Sequence, residues 1–271
     1  MKPRPLLARL AVLLLTLSVN AQATQTVDSL LQVLLPTPLL LLGEQHDAPE
    51  HQALQREVVQ TLAARGQLAA LVMEMLDQGR HTRGLSSQAD EASVRSTLQW
   101  SEEHSKGWPW ASYGPVVMAA VRAGVPVLGG NLPRERMRAA MADTSLDALL
   151  PEPALQQQRD NIESGHCGLL PPSQIAPMTR IQIARDQTLA RSASAEVRPE
   201  KTVLLVAGNG HVRRDLGVPL LLAPGQAHRV VMAQAGALDA AALGLQAHAW
   251  WATPALPPRD YCAEFKKQMG R

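Results

Sequence analysis

Aromatic side chains are scarce in this chain: five Trp, two Tyr and one Phe make up 3% of 271 residues. Any local concentration of rings therefore carries information. An excess of charge of one sign is missing as well, because 26 Lys and Arg face 24 Asp and Glu. Three of those bases, Lys2, Arg4 and Arg9, lie within residues 1–23, which hold no acid, so the remainder carries 23 against 24. That balance removes the support for a nucleic-acid partner. The sequence shows neither an internal repeat nor a low-complexity segment.

Long apolar runs are missing too. Leu10 to Leu17 follows the basic start but is too short to span a bilayer. Ala21-Gln22-Ala23 then places small residues where a signal peptidase reads. This order predicts export with cleavage near Ala23, in preference to a buried N-terminal helix. No cysteine lies near that point, so a lipid anchor is not expected and the protein is predicted to be periplasmic or secreted, and soluble. The 248 residues left after cleavage suit one large α/β domain over 24–253 and a proline-rich tail over 254–271. Only two cysteines are present, Cys167 and Cys262. In an oxidising compartment an even count favours a disulfide between them over two buried thiols, and it would fasten the tail to the body.

What the chain does have is a set of apolar runs that stop at polar or glycine residues. Leu39 to Leu42 runs into Gly43-Glu44-Gln45-His46, and Leu71-Val72-Met73 into Glu74. Val125 to Leu128 ends at Gly129-Gly130-Asn131, and Val203 to Ala207 at Gly208-Asn209-Gly210-His211. Short, continuous apolar runs bounded by turn signals read as strands buried on both faces. The fold class that follows is α/β, a mainly parallel sheet with flanking helices. A helix is expected from Pro49 to about Arg65, another over Ser87 to Trp100, and one opened by Tyr113-Gly114-Pro115. Residues 133–195 read as a helical lobe inserted between the third and fourth strands. Later strands are expected at His228 to Met232 and Ala247 to Trp251. Parallel sheets bind ligands beyond the carboxyl ends of their strands. Glu44, His46, Glu74 and His211 are thus expected in one pocket, with Asn131 at the same edge and Arg185 as a guanidinium partner for the carboxylates. Singly each has a bland explanation, a helix cap or a core histidine; recurrence at separate strand ends argues against accident.

These segments also resemble the ChaN family of haem-binding uptake proteins, in a superfamily with Tiki-type metalloproteases and erythromycin esterases. The resemblance is carried by Leu-Leu-Gly-Glu-Gln-His, Val-Met-Glu-Met, Trp108-Pro-Trp-x-x-Tyr113, Gly-Gly-Asn-Leu-Pro-Arg and Ala-Gly-Asn-Gly-His. Gly165-His166-Cys167-Gly168 with Met178, Gln182 and Arg185-Asp186 is similar to the family's central lobe. It implies an exported protein that assists haem or iron uptake, with ferric haem or an iron chelate as ligand. A homodimer and an outer-membrane uptake partner are compatible with that role. A porphyrin needs flat apolar walls, an axial ligand and cations for its propionates. Trp100, Trp108, Trp110 and Tyr113 concentrate the scarce rings in one stretch. Tyr113 is expected as the iron ligand through a phenolate, with His166 or His104 as imidazole alternatives. Lys106, Arg80, Arg83 and Arg185 are the available cations.

A hydrolase is the competing reading. His46 with Glu44 or Glu74 would act as general base and His211 would polarise a carbonyl, or the same side chains would hold a catalytic zinc. Neither His-Glu-x-x-His nor Gly-x-Ser-x-Gly occurs, though the superfamily uses neither. The sequence favours a binding protein over an enzyme.

Overall fold

The structure, a computed structural model, describes residues 25–101, 107–238 and 244–268. The expected export signal, His104 and Lys106 lie outside the described residues.

The chain opens with α1 (Val27–Leu34), whose Thr26 and Ser29 cap one another reciprocally. Then come β1 (Leu39–Glu44), α2 (Pro49–Ala64), β2 (Leu68–Asp77), α3 (Glu91–Thr97), α4 (Trp110–Arg122) and β3 (Val127–Asn131). The inserted helical run consists of α5 (Arg134–Ala142), a 3₁₀ turn at Thr144–Leu149, α6 (Glu152–Gly165) and α7 (Pro172–Ser194). It leads into β4 (Thr202–Gly208) and the one-turn α8 (Asn209–Val212). After a 3₁₀ turn at Val218–Leu221 the chain ends with β5 (Arg229–Ala235), β6 (Ala249–Thr253) and α9 (Tyr261–Gln268).

The six strands form one sheet in the order β3-β2-β4-β1-β5-β6, and every strand pairing in it is parallel. Both faces are covered, which is why the strands read as unbroken apolar runs. Leu40 and Leu42 point into a core shared with α1, α2 and α4. Leu39 and Leu41 point the other way, towards Leu189, Ala190 and Ala193 of α7. The chain leaves β1 into α2 on the first face and leaves the neighbouring β4 into α8, whose Val212 packs on the second. Adjacent strands with connections to opposite faces leave a crevice at their carboxyl ends. Among the described residues no helix is long and apolar enough to cross a membrane.

Helix α2 starts at Pro49 and is stopped by Gly66 at φ +66°, as its sequence signals predict. Other boundaries differ. The helix expected over Ser87 to Trp100 is confined to α3, because Asp90 caps the amide of Ser93. Strand β2 does not end at Met73: it runs on to Asp77, with its register against β3 shifting between those residues. Helix α4 begins at Trp110, three residues ahead of Tyr113. The tail contains α9, tied to the end of α6 by a disulfide between Cys167 and Cys262.

Candidate functional site

Glu44 is the last residue of β1 and lies in register with Gly208, the last of β4. His46 follows two residues on, His211 sits in α8 immediately past β4, and Glu74 projects from the neighbouring β2. The crevice at the strand switch thus brings the four expected side chains together. Glu44 and Glu74 are almost wholly buried, as is His211.

Their contacts form a chain. His211 Nε2 lies 3.2 Å from Glu74 Oε1, and its Nδ1 contacts Asp186 of α7 at short range. Glu74 Oε2 accepts the Gly208 amide at 2.7 Å and lies 3.9 Å from His46 Nε2. His46 Nδ1 is 2.7 Å from Glu44 Oε1, which also accepts the Tyr113 hydroxyl at 2.6 Å. The other Glu44 oxygen accepts Gln52 at 2.7 Å and Gln55 at 2.5 Å. Of the four, His46 is the one open to solvent, with 39% of its side chain exposed. The Trp108 ring meets it edge-on at 5.8 Å.

Burial opposes charge on His211, yet Glu74 and Asp186 outweigh it and push its pKa up to about 10. Burial likewise opposes charge on Glu74, but His211 and His46 bring it down to about 2. His211 is therefore an imidazolium donating one N–H to each flanking carboxylate. For His46 burial again works against the charge, and the hydrogen bond to Glu44 with the field of Glu74 raises its pKa overall. Burial, and then Glu44, holds the Tyr113 phenol protonated far into alkali. The result is two hydrogen-bonded sets, Asp186–His211–Glu74 inside and Tyr113–Glu44–His46 outside, which meet at the 3.9 Å approach of Glu74 to His46 and leave His46 at the surface, able to hold a proton.

The remaining expected residues are placed differently. Asn131 is buried at the end of β3, but its side-chain oxygen accepts the next amide, Leu132. Arg185 lies beside Asp186 on α7, and its buried Nε has no hydrogen-bond partner among the described residues. Arg80 is taken up by Asp77 and the Gln99 carbonyl, and Arg83 by Glu196. Tyr113, expected as an iron ligand, has no exposed surface and gives its hydroxyl to Glu44. His166 is half-buried at the end of α6 with Nδ1 2.7 Å from the Ile162 carbonyl. Sequence reasoning missed Gln52 and Gln55. They occupy the sheet-facing stripe of α2 with Val59 and Leu62, and polar residues in an apolar stripe are the signal that would have found them. It also left the role of Asp186 unassigned.

A family profile described as haem-binding uptake, Tiki superfamily, ChaN matches residues 30–222. Among solved structures the chain is similar to ChaN of Campylobacter jejuni, described with cofacial heme binding, at 21% identity and a TM-score of 0.61. That match covers 75% of this chain and 84% of the other, and it bears on fold. The type III effector HopBA1 aligns at 15% identity over 85% of this chain and 94% of its own, with a TM-score of 0.46. A Bacillus cereus protein aligns at 14% over 78% and 70%, with a TM-score of 0.33. Those two similarities are too low to bear on function. No curated protein matches the chain.

Proposed function

Because the chain belongs to the ChaN family of haem-binding uptake proteins in the Tiki superfamily, we propose that it binds haem outside the cytoplasm and serves haem or iron uptake. The family match across residues 30–222 carries this reading. Export with cleavage near Ala23, a ferric state of the bound haem, a homodimer and an outer-membrane uptake partner belong to the same proposal.

Haem, when bound, would supply an iron that takes an imidazole or a phenolate from the protein as ligand. His166 suits that role. A carbonyl can only accept, so the contact with Ile162 fixes the proton on His166 Nδ1 and leaves the Nε2 lone pair for a metal. The Phe265 ring stands edge-on to the imidazole at 5.8 Å, and the half-buried Leu169 and Leu170 follow in the chain. Exposed Lys266 and Lys267 in the last turn of α9 are available to propionates. Tyr113 suits it less well, because a phenolate would have to leave its buried contact with Glu44. We therefore assign the iron to His166 and treat Glu44, His46, Glu74 and His211 as a separate polar pocket. The zinc of the hydrolase reading has little support: among the described residues no group of three or more His, Cys, Asp or Glu is arranged to hold a metal ion.

An absorption titration of the exported protein with hemin, run beside His166→Ala and Tyr113→Phe, tests both parts. Saturable binding with a shifted Soret band is expected. His166→Ala should weaken it by about tenfold or more, on the scale seen when a metal site loses an orienting partner. Tyr113→Phe should leave the spectrum unchanged. Absence of saturable binding by the unaltered protein overturns the haem reading. An altered spectrum in Tyr113→Phe with His166→Ala unchanged returns the ligand to Tyr113.

A further inference from the structure

The edge of the sheet opposite the His/Glu centre, where β1 and β4 begin, carries a cleft of about 540 Å³. That volume lies in the range of small-molecule sites. Its apolar walls are Leu35, Pro36, Pro38, Val197 and Pro199. Three of the five are prolines, whose fixed φ leaves them little freedom to collapse into the space. The surrounding backbone is pinned as well: the Thr202 amide donates to the Gln67 carbonyl at 2.7 Å, and the Val203 amide to that of Pro38 at 2.9 Å.

Two polar features of this cleft lack an internal explanation. The side-chain oxygen of Gln67 is buried and has no hydrogen-bond partner among the described residues. The residue as a whole is half-buried and its side chain has three rotatable bonds, so a turn of the amide presents this acceptor, unfavourable while unmet, to the cleft. The rim carries Arg198, Lys201 and Glu200, a net charge of one positive. Arg198 donates to the carbonyls of Ala195 and Val197 and lies 3.8 Å from Glu196. Lys201 is exposed and in no ion pair among the described residues. An apolar slot with one waiting acceptor inside and one available cation at its mouth defines its ligand by complementarity.

We propose that this cleft binds a small amphipathic organic acid, with its apolar body against the proline walls, an N–H or O–H donor on Gln67 Oε1 and its carboxylate on Lys201. The site shares no residue with the His/Glu centre or with the surroundings of His166.

Dansylglycine is a suitable probe, since it combines a flat apolar ring system, a sulfonamide N–H and a carboxylate; dansylamide lacks the carboxylate. Fluorescence titration of the full chain is expected to show saturable binding of dansylglycine. Val197→Trp, which fills the slot, should weaken it by about tenfold or more, and Lys201→Glu by about tenfold, the scale of one lost charge-assisted hydrogen bond. Lys201→Glu should leave dansylamide binding unchanged, and both variants should keep the hemin affinity of the parent. No saturable binding by the parent, or parent-like dansylglycine affinity in both variants, overturns the proposal. Because Lys201 is exposed, its substitution keeps the test decisive even where Val197→Trp fails to fold.

Discussion

His211 cannot lose its proton without leaving Glu74 and Asp186 facing one another across a neutral ring. Its pKa rises from 6.5 to about 10 on folding, so its contribution to stability is complete below about 6.5 and is lost as pH rises through 10. Glu74 falls from 4.5 to about 2, so its contribution is present above 4.5 and is lost as pH falls through 2. Thermal melts across the pH range should accordingly show this pair supporting the fold best between those inner limits, with Tm declining towards pH 10. His211→Gln should flatten the alkaline decline and, near neutrality, lower stability by about 3–5 kcal/mol, the usual effect of stranding one partner of a buried ion pair. Tyr113→Phe removes one of the donors on Glu44 and should cost about 1 kcal/mol in a denaturant titration. At this scale the sequence displayed Glu44, Glu74 and His211 because each interrupts or closely follows an apolar run, Glu44 at the end of β1, Glu74 within β2 and His211 just past β4. Asp186 stayed obscure because one carboxylate on a long amphipathic helix looks like any solvated acid until His211 is seen beside it.

Between elements, the critical contact is the approach of α8 to β1. A Cβ on Gly43 would overlap Asn209 Oδ1 and stand 2.5 Å from Val212 Cγ2. Gly43→Ala should therefore push α8 away and lower stability by about 1–3 kcal/mol. Since α8 carries His211, the alkaline decline in Tm should shrink in the same variant, which melts at several pH values would reveal. Elements were legible where burial on both faces produced unbroken apolar strands, and where Pro49 and Gly66 punctuated α2. They were illegible where a local interaction decided the outcome. The cap on Asp90 shortened α3, and the register shift in β2 let the strand continue past Glu74. Helix α1 spans eight residues, too few turns for periodicity to announce it, and is held instead by the apolar core beneath α2.

For the molecule as a whole, the parallel α/β architecture and the inserted helices could be read from the order of the apolar runs. Of the tail's three anchors the sequence displayed one, the expected bond between its only two cysteines; the other two could not be read, because they join single residues far apart in sequence. Cys262 bonds Cys167, the Tyr261 hydroxyl reaches Asp47, and Phe265 meets His166. Thiol labelling of denatured, unreduced protein should find no free cysteine. Cys262→Ser should lower stability by about 2–4 kcal/mol, a value set chiefly by the long loop that the bond closes in the unfolded chain. The two cysteines are 95 positions apart, and β4, β5 and β6 all lie between them. That stretch is a covalent ring. One cut by a protease anywhere within it yields two fragments still joined through sulfur, with β4 remaining between β2 and β1. A nicked molecule would run as one species until reductant is added, so damage in this third of the chain need not end its working life.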